Sequence, residues 1–433
     1  MTEAANKTLA ADPNQSLAKR MIGRLGPGLI TGASDDDPSG IGTYSHAGAQ
    51  LGFGIAWTML ITYPLMVAIQ EISARIGRTT GHGIAGNLGR HYPNWLLQSI
   101  VGLLFIANSI NIGADLSAMA DAVKLLAGGW SAVYVILLAG ICVGGIVFVS
   151  YERYSLILKW LTLSLFTYVA VLFAVRIPWS EALYGLFVPH IVWSPEFFTT
   201  LVAIFGTTIS PYLFFWQASQ EVEEVEASRQ RQPLKKAPRQ ALDAFSRIRA
   251  DTLIGMGFSN IIAVAIIFAT AATLHQSGIT NIESSSQAAE ALRPIAGDFA
   301  FALFALGIVG TGLLAVPVLA ASAAYAIGEA RRWPIGLSRQ PKEAAAFYVT
   351  LAAASAFGVA LTFSPIDPFK ALYWSAVING VVAIPVMITM MLMAVQPRVM
   401  GRFTISGGLH LLGWAATLAM TACCLAMVIS WLV

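Results

Sequence analysis

Long apolar runs separated by short polar stretches dominate this chain, and about 20 apolar residues in succession suffice to cross a bilayer. Eleven segments meet or approach that length, near 25–50, 53–76, 95–122, 131–150, 154–176, 196–226, 251–274, 299–328, 343–363, 371–395 and 408–432. The first and sixth are irregular. In the first, Gly32-Ala33-Ser34-Asp35-Asp36-Asp37-Pro38-Ser39-Gly40 separates Leu25–Ile30 from Ile41–Phe53. In the sixth, the apolar run Phe198–Phe205 stops at Gly206-Thr207-Thr208-Ile209-Ser210-Pro211 and resumes at Tyr212–Trp216. Each aspartate at the centre of a spanning helix costs roughly 2.5–3.5 kcal/mol on insertion scales, and proline removes a backbone donor. The pattern predicts helices broken at mid-membrane, with freed carbonyls and carboxylate oxygens facing a polar cavity. A simpler reading makes the first stretch a turn before a helix, with Asp37 as its cap.

Composition sets the class. Hydrophobic residues make up 56% of the 433 and charged residues 11%, against roughly 25% charged in soluble proteins. That excludes a soluble domain. The net charge of +3 matters less than where the basic residues fall. With the N-terminus inside, 22 of the 26 Lys and Arg lie on the inner side, among them the seven of the loop 227–249. This is the positive-inside bias, and it predicts an inner N-terminus and an outer C-terminus. The basic loop is expected to lie on the anionic inner leaflet. The first twenty residues are polar and carry no apolar signal-peptide core. Cys142, Cys423 and Cys424 lie in apolar runs and form no disulfide framework.

Two interrupted helices five spans apart predict two inverted repeats, about 25–176 and 196–395. An extra helix at 408–432 follows them, and a polar tail, 1–24, precedes them. Such paired breaks mark the central site of a transporter, and hard cations take oxygen ligands. Asp37 leads the candidates, with the carbonyls of Ser34 and Thr207 and the hydroxyl of Ser210. Asp35 and Asp36 are further ligands, supports, or groups paired elsewhere. In the third span Asn108, Asn111 and Asp115 share one helix face. The two Asn suit interhelical hydrogen bonds, and an intramembrane Asp is a functional candidate by default. Gln217, Glu221 and Glu224 share a face near the end of the sixth span, either as an acidic vestibule or paired with Arg229 and Arg231. Asn379 is a lone polar residue in the tenth span. Walker loops and clustered histidines are lacking, so neither an ATPase nor a metalloenzyme is indicated.

Three stretches resemble the NRAMP family of divalent metal transporters, in a divergent bacterial branch similar to its magnesium-transporting relatives. Gly26-Pro27-Gly28 with Asp37-Pro38-Ser39-Gly40 resembles the family's Gly-Pro then Asp-Pro-Gly-Asn. Gln70-Glu71-Ile72-Ser73-Ala74-Arg75-Ile76-Gly77, with Thr80-Gly81, is similar to the end of its second span. Gly206-Thr207-Thr208-Ile209-Ser210-Pro211-Tyr212 stands where it reads Gly-Ala-Thr-Val-Met-Pro-His. The resemblance implies a LeuT-type, all-α membrane fold of eleven spans, in an inner (plasma) membrane. It implies no enzymatic activity, no cofactor, no nucleic acid and no obligate protein partner, with a divalent cation as cargo. It also implies Asp37, Ser34 and Thr207 as ligands. The family's binding Asn is here Gly40, and its thioether Met is Ser210, changes expected to leave a roomier, harder site that suits Mg²⁺ or Mn²⁺. The third-span Asp is Asp115, while the neighbouring Glu is Ala118 and the His after the proline is Tyr212. Those losses imply transport without protons. The alternatives are a proton-coupled Mn²⁺ or Fe²⁺ importer, and a transporter of a small organic amine held by Asp37.

Overall fold

The computed structural model describes residues 31–32, 34–148, 166–228, 230–282, 284–293 and 297–432. The polar tail, Gly26-Pro27-Gly28, most of the expected fifth span and Arg229 lie outside these residues. Everything described is helix or connection. The long helices are α1 (Pro38–Leu51), α2 (Trp57–Thr80), a short α3 (Ile84–His91), α4 (Asn94–Ala127), α5 (Ser131–Phe148), α6 (Phe166–Ala174) and α7 (Trp179–Phe187). They continue as α8 (Pro195–Thr208), α9 (Pro211–Ala227), α10 (Ala241–Thr273), α11 (Ser285–Glu290), α12 (Ala300–Arg331), α13 (Ala345–Thr362), α14 (Pro368–Val395), α15 (Pro397–Met400) and α16 (Gly407–Leu432).

Local chemistry sets the ends. Asp37, Ser194 and Asp367 cap α1, α8 and α14 with their side chains, each followed by a proline at the first helical position. There the missing N–H costs nothing, because the first helical donors have no partner anyway. Gly81 ends α2 in the left-handed region at φ 71°.

Among the described residues eight helices, counting α8 with α9 as one, are long and apolar enough to cross a membrane. The pair around α1 and α2, bent by 111°, passes the same test together. Burial ranks them from centre to rim. The most apolar window of Pro195–Ala227 is 100% buried, that of Gly407–Leu432 33% and that of Ser131–Phe148 22%. In a membrane protein the outward apolar faces meet lipid, so α5 and α16 are peripheral and α8–α9 is central. The packing follows from this. α4 lies against α12, α13 and α14, while α1 packs on α10, α9 on α2, and α8 on α14.

Two backbone approaches position the centre. A Cβ added at Gly206 would strike the Ala376 carbonyl and the Gly380 amide of α14, and one added at Gly32 would strike the Gly255 carbonyl of α10. Only glycine permits such crossings. The first fixes the end of α8 against α14; the second lays residues 31–32 and 34–35 along α10.

Candidate functional site

Residues 31–32 and 34–35 are helical, the backbone leaves helical geometry at Asp36 and Asp37, and α1 starts at Pro38. The helix of the sixth segment stops at Thr208, Ile209 and Ser210 are non-helical, and α9 starts at Pro211. Asp37 and Ser210 are both extended, at ψ 171° and 130°.

The Asp37 carboxylate serves two masters. Its Oδ1 accepts from the Gly40 N–H and the Ser39 hydroxyl, both at 2.7 Å, which is the helix cap. Its Oδ2 faces other helices: the Asn111 amide approaches from α4 at 3.2 Å and the Tyr212 hydroxyl from α9 at 3.4 Å. Those two contacts are long for hydrogen bonds, and the Tyr212 proton is already directed at the Ser34 carbonyl, 2.8 Å away. Oδ2 is therefore the less saturated of the two oxygens. The Ser210 hydroxyl lies 2.8 Å from the carbonyls of both Gly206 and Thr207. Both expected carbonyl donors, of Ser34 and Thr207, are thus held by hydroxyls whose oxygens retain lone pairs.

Gly40 corrects an expectation. Its lack of a side chain does not leave the site roomier, because a Cβ there would lie 3.1 Å from Thr207 Oγ1 and 3.2 Å from the Asp35 carbonyl. Thr207 fills the place that a residue-40 side chain would take.

Asp35 and Asp36 are gathered by one residue of α10. The Ser259 hydroxyl lies 2.7 Å from Asp35 Oδ2 and 3.0 Å from Asp36 Oδ1. The other oxygen of each has no hydrogen-bond partner. All three aspartates are buried, and no Lys, Arg or His forms an ion pair with them among the described residues. Uncompensated buried carboxylates are expensive, so a cation or protons must balance this charge. They do not close on one point, since no three His, Cys, Asp or Glu side chains form a metal-ligand set among the described residues. A cation at Asp37 would be bound by one carboxylate together with carbonyls, hydroxyls and water.

The remaining candidates separate. Asp115 is buried, one turn beyond Asn111 on α4, beside the Ser39 backbone N–H in the first turn of α1. Asn379, next to Gly380, is likewise buried with both polar atoms unpartnered. Asn108 belongs to packing: its amide donates to the Leu319 carbonyl at 2.9 Å and to Ser322 at 2.7 Å, both on α12. Gln217 accepts from Thr31. Glu221 is bound to Arg247 of α10 at 2.5 Å, and Glu224 to Arg231 at 2.6 Å and Arg247 at 3.4 Å. These acids form a neutralised seam, with Arg247 as its unforeseen centre, and no open acidic vestibule. At the other end of α1 a cavity of about 330 Å³ is lined by His46, Gln50, Glu196, Tyr373 and Trp374. His46 lies nine residues beyond Asp37, about 14 Å along the helix at 1.5 Å per residue.

Sequence reasoning missed Ser259 and Tyr44. Tyr44 is two turns beyond Asp37, with a buried hydroxyl. A 3.6-residue count from Asp37 would have found it, and Ser259 was visible as a polar residue inside an apolar span.

An all-helical bundle with several membrane-length helices around a buried polar centre defines an integral membrane protein, and its fold is shared by known transport proteins. The structure superposes on that of the Eremococcus coleocola manganese transporter with a TM-score of 0.73 at 16% identity, over 99% of this chain and 90% of that one. A Na⁺-coupled sialic acid symporter aligns with a TM-score of 0.54 at 11% identity, over 94% and 89%. The chain belongs to the natural resistance-associated macrophage protein-like (Nramp) family, whose family model matches residues 28–430. It is 25% identical over 328 residues to a divalent metal cation transporter MntH of Mesorhizobium japonicum, covering 71% of this chain and 67% of the relative. It is also 25% identical over 312 residues to an MntH of Caldanaerobacter subterraneus, covering 68% of each.

Proposed function

We propose that this chain moves a divalent metal cation, Mg²⁺ or Mn²⁺, across the membrane by alternating access, and that Asp37 Oδ2 is the anionic ligand. The observation that carries this is the donor set where the two interrupted helices meet: a carboxylate, the Ser34 and Thr207 carbonyls and the hydroxyls of Thr207, Ser210 and Tyr212, with no sulfur. Hard ions that keep part of their water suit such a set, and Cd²⁺ or Fe²⁺ gain no soft partner. The names of the relatives agree with a divalent cation and leave Mg²⁺ and Mn²⁺ open.

Access follows from the two ends. The seam of Glu221, Glu224, Arg231 and Arg247 closes the basic end, while the cavity at His46 opens from the opposite one. Transport requires the seam to part while that cavity closes. In this reading the interrupted spans are the moving parts of two inverted repeats, and the twin packing of α1 on α10 and α9 on α2 supports it.

A second reading, proton-coupled Mn²⁺ import, is favoured by Asp115, a buried carboxylate without an ion-pair partner among the described residues, on the same helix as the Asp37 contact Asn111. Ala118 and Tyr212 remove two other titratable positions. Proteoliposomes with a trapped metal dye and a trapped pH dye decide between them. Uptake of Mg²⁺ and Mn²⁺ without lumenal acidification is expected; metal-dependent acidification establishes the coupled reading. Transport of neither ion, with uptake of an organic amine, would overturn both.

A further inference from the structure

Away from the central site, α2, α10 and the start of α16 enclose a groove of about 370 Å³ on the flank of the bundle. Its walls are graded. On α2, Val67, Glu71 and Arg75 recur every four residues, and on α10 Arg249 and Leu253 are spaced the same way, so each helix presents one face to the groove. Toward mid-membrane the lining is Val67, Ala68, Leu253 and Leu412; toward the basic end it is Glu71, Arg75 and Arg249. Leu253 and Leu412 are each 36% exposed within apolar spans, so the groove opens where lipid tails lie.

The charges at the mouth do not cancel. Glu71 is held by Arg75 at 2.5 Å, and the Arg75 guanidinium stacks on the Phe245 ring at 4.4 Å. Arg249 is exposed and has no acidic partner among the described residues. Among the described residues the mouth carries one positive charge in excess. Beside it, a Cβ added at Gly408 would meet nothing within 4 Å, so the groove is open at that point.

We propose that this groove holds one membrane phospholipid with an anionic headgroup, its phosphate on Arg249 and one acyl chain along the apolar wall. An apolar slot that ends in an unpaired guanidinium complements an amphiphile with a negative head. Guanidinium forks match phosphate oxygens in pairs, and basic pockets between spanning helices on the inner side are suited to anionic headgroups. A bound lipid there would bridge α2 and α10, the partners of α9 and α1, and so brace the helices that flank both interruptions.

The test uses the full-length protein in detergent, exchanged against phosphatidylglycerol or phosphatidylcholine and read by native mass spectrometry. Wild type is expected to retain one phosphatidylglycerol at least fivefold more than phosphatidylcholine. Arg249→Gln should remove that preference, and Arg249→Lys should restore part of it. Gly408→Trp, whose Cβ enters open space at the groove wall, should lower retention of both lipids. Lys236→Gln removes an exposed charge outside the groove and controls for the general basicity of this face. Equal retention of the two lipids by wild type overturns the proposal. So does equal loss in Arg249→Gln and Lys236→Gln, or undiminished retention in Gly408→Trp. If glycerol phosphate protects against unfolding as well as phosphatidylglycerol does, the groove binds free phosphate and the lipid assignment fails.

Discussion

Replacing Asp37 by Asn and by Ala separates its two roles. The cap needs only an oxygen on the residue before α1, because the bonds from Gly40 N and Ser39 Oγ reach Oδ1. Asn caps about as well as Asp, whereas Ala forfeits about 1 kcal/mol. The Asn amide nitrogen would stand where Oδ2 stood, facing the Asn111 amide. Asn111 Oδ1 has no partner, so a flip of that amide restores the bond. Asp37→Asn should therefore fold with nearly wild-type stability. Binding is another matter. Two unit charges 4 Å apart interact by about 4 kcal/mol at an effective dielectric constant of 20, and a divalent ion in contact with Oδ2 exceeds that. Relief of the carboxylate's burial returns part of the loss. A net loss of about 3 kcal/mol corresponds to roughly a hundredfold in affinity. Titration calorimetry with Mn²⁺ and Mg²⁺, alongside thermal unfolding, reads both quantities. The expected pattern is loss of binding in both variants and lowered stability in Ala alone. Binding within threefold of wild type in a folded Asp37→Asn would refute Asp37 as the ligand and leave it a helix cap.

Gly40→Asn should destabilise by about 1–3 kcal/mol, the usual range for overpacking, since its Cβ meets Thr207 at 3.1 Å. Adding Thr207→Ala should recover most of that in a double-mutant cycle; additive losses would mean that the two side chains do not share one space. Ser210→Met should raise Cd²⁺ affinity about tenfold, or 1.4 kcal/mol, and weaken Mg²⁺ transport. A folded variant with no gain for Cd²⁺ would put residue 210 out of reach of the ion. Glu221→Gln should cost about 3 kcal/mol of stability, the low end for breaking a buried ion pair, because Glu224 stays 3.4 Å from Arg247. A thermal midpoint equal to wild type would show that the seam carries no such load.

Much of this protein is local and so could be read from the chain. A run of some twenty apolar residues can satisfy its backbone in lipid only as a helix, which is why the expected segments reappear as α2, α4, α5, α8–α9, α10, α12, α13, α14 and α16. Proline after Asp or Ser marks a helix start by the same local logic, so the helix starts at Pro38 and Pro211 were visible. Side-chain partners across helices were not, because they depend on which faces meet. Only the packing decided that Ser259 of α10 gathers Asp35 and Asp36, that Arg247 takes Glu221, and that Asn108 bonds to α12 while Asn111, one turn away, reaches Asp37. It also decided that Gly40 makes no room. The sequence determined that a side chain was missing there, but whether its absence left a void depended on Thr207, which lies 167 positions away along the chain and meets Gly40 through the crossing of α1 and α8.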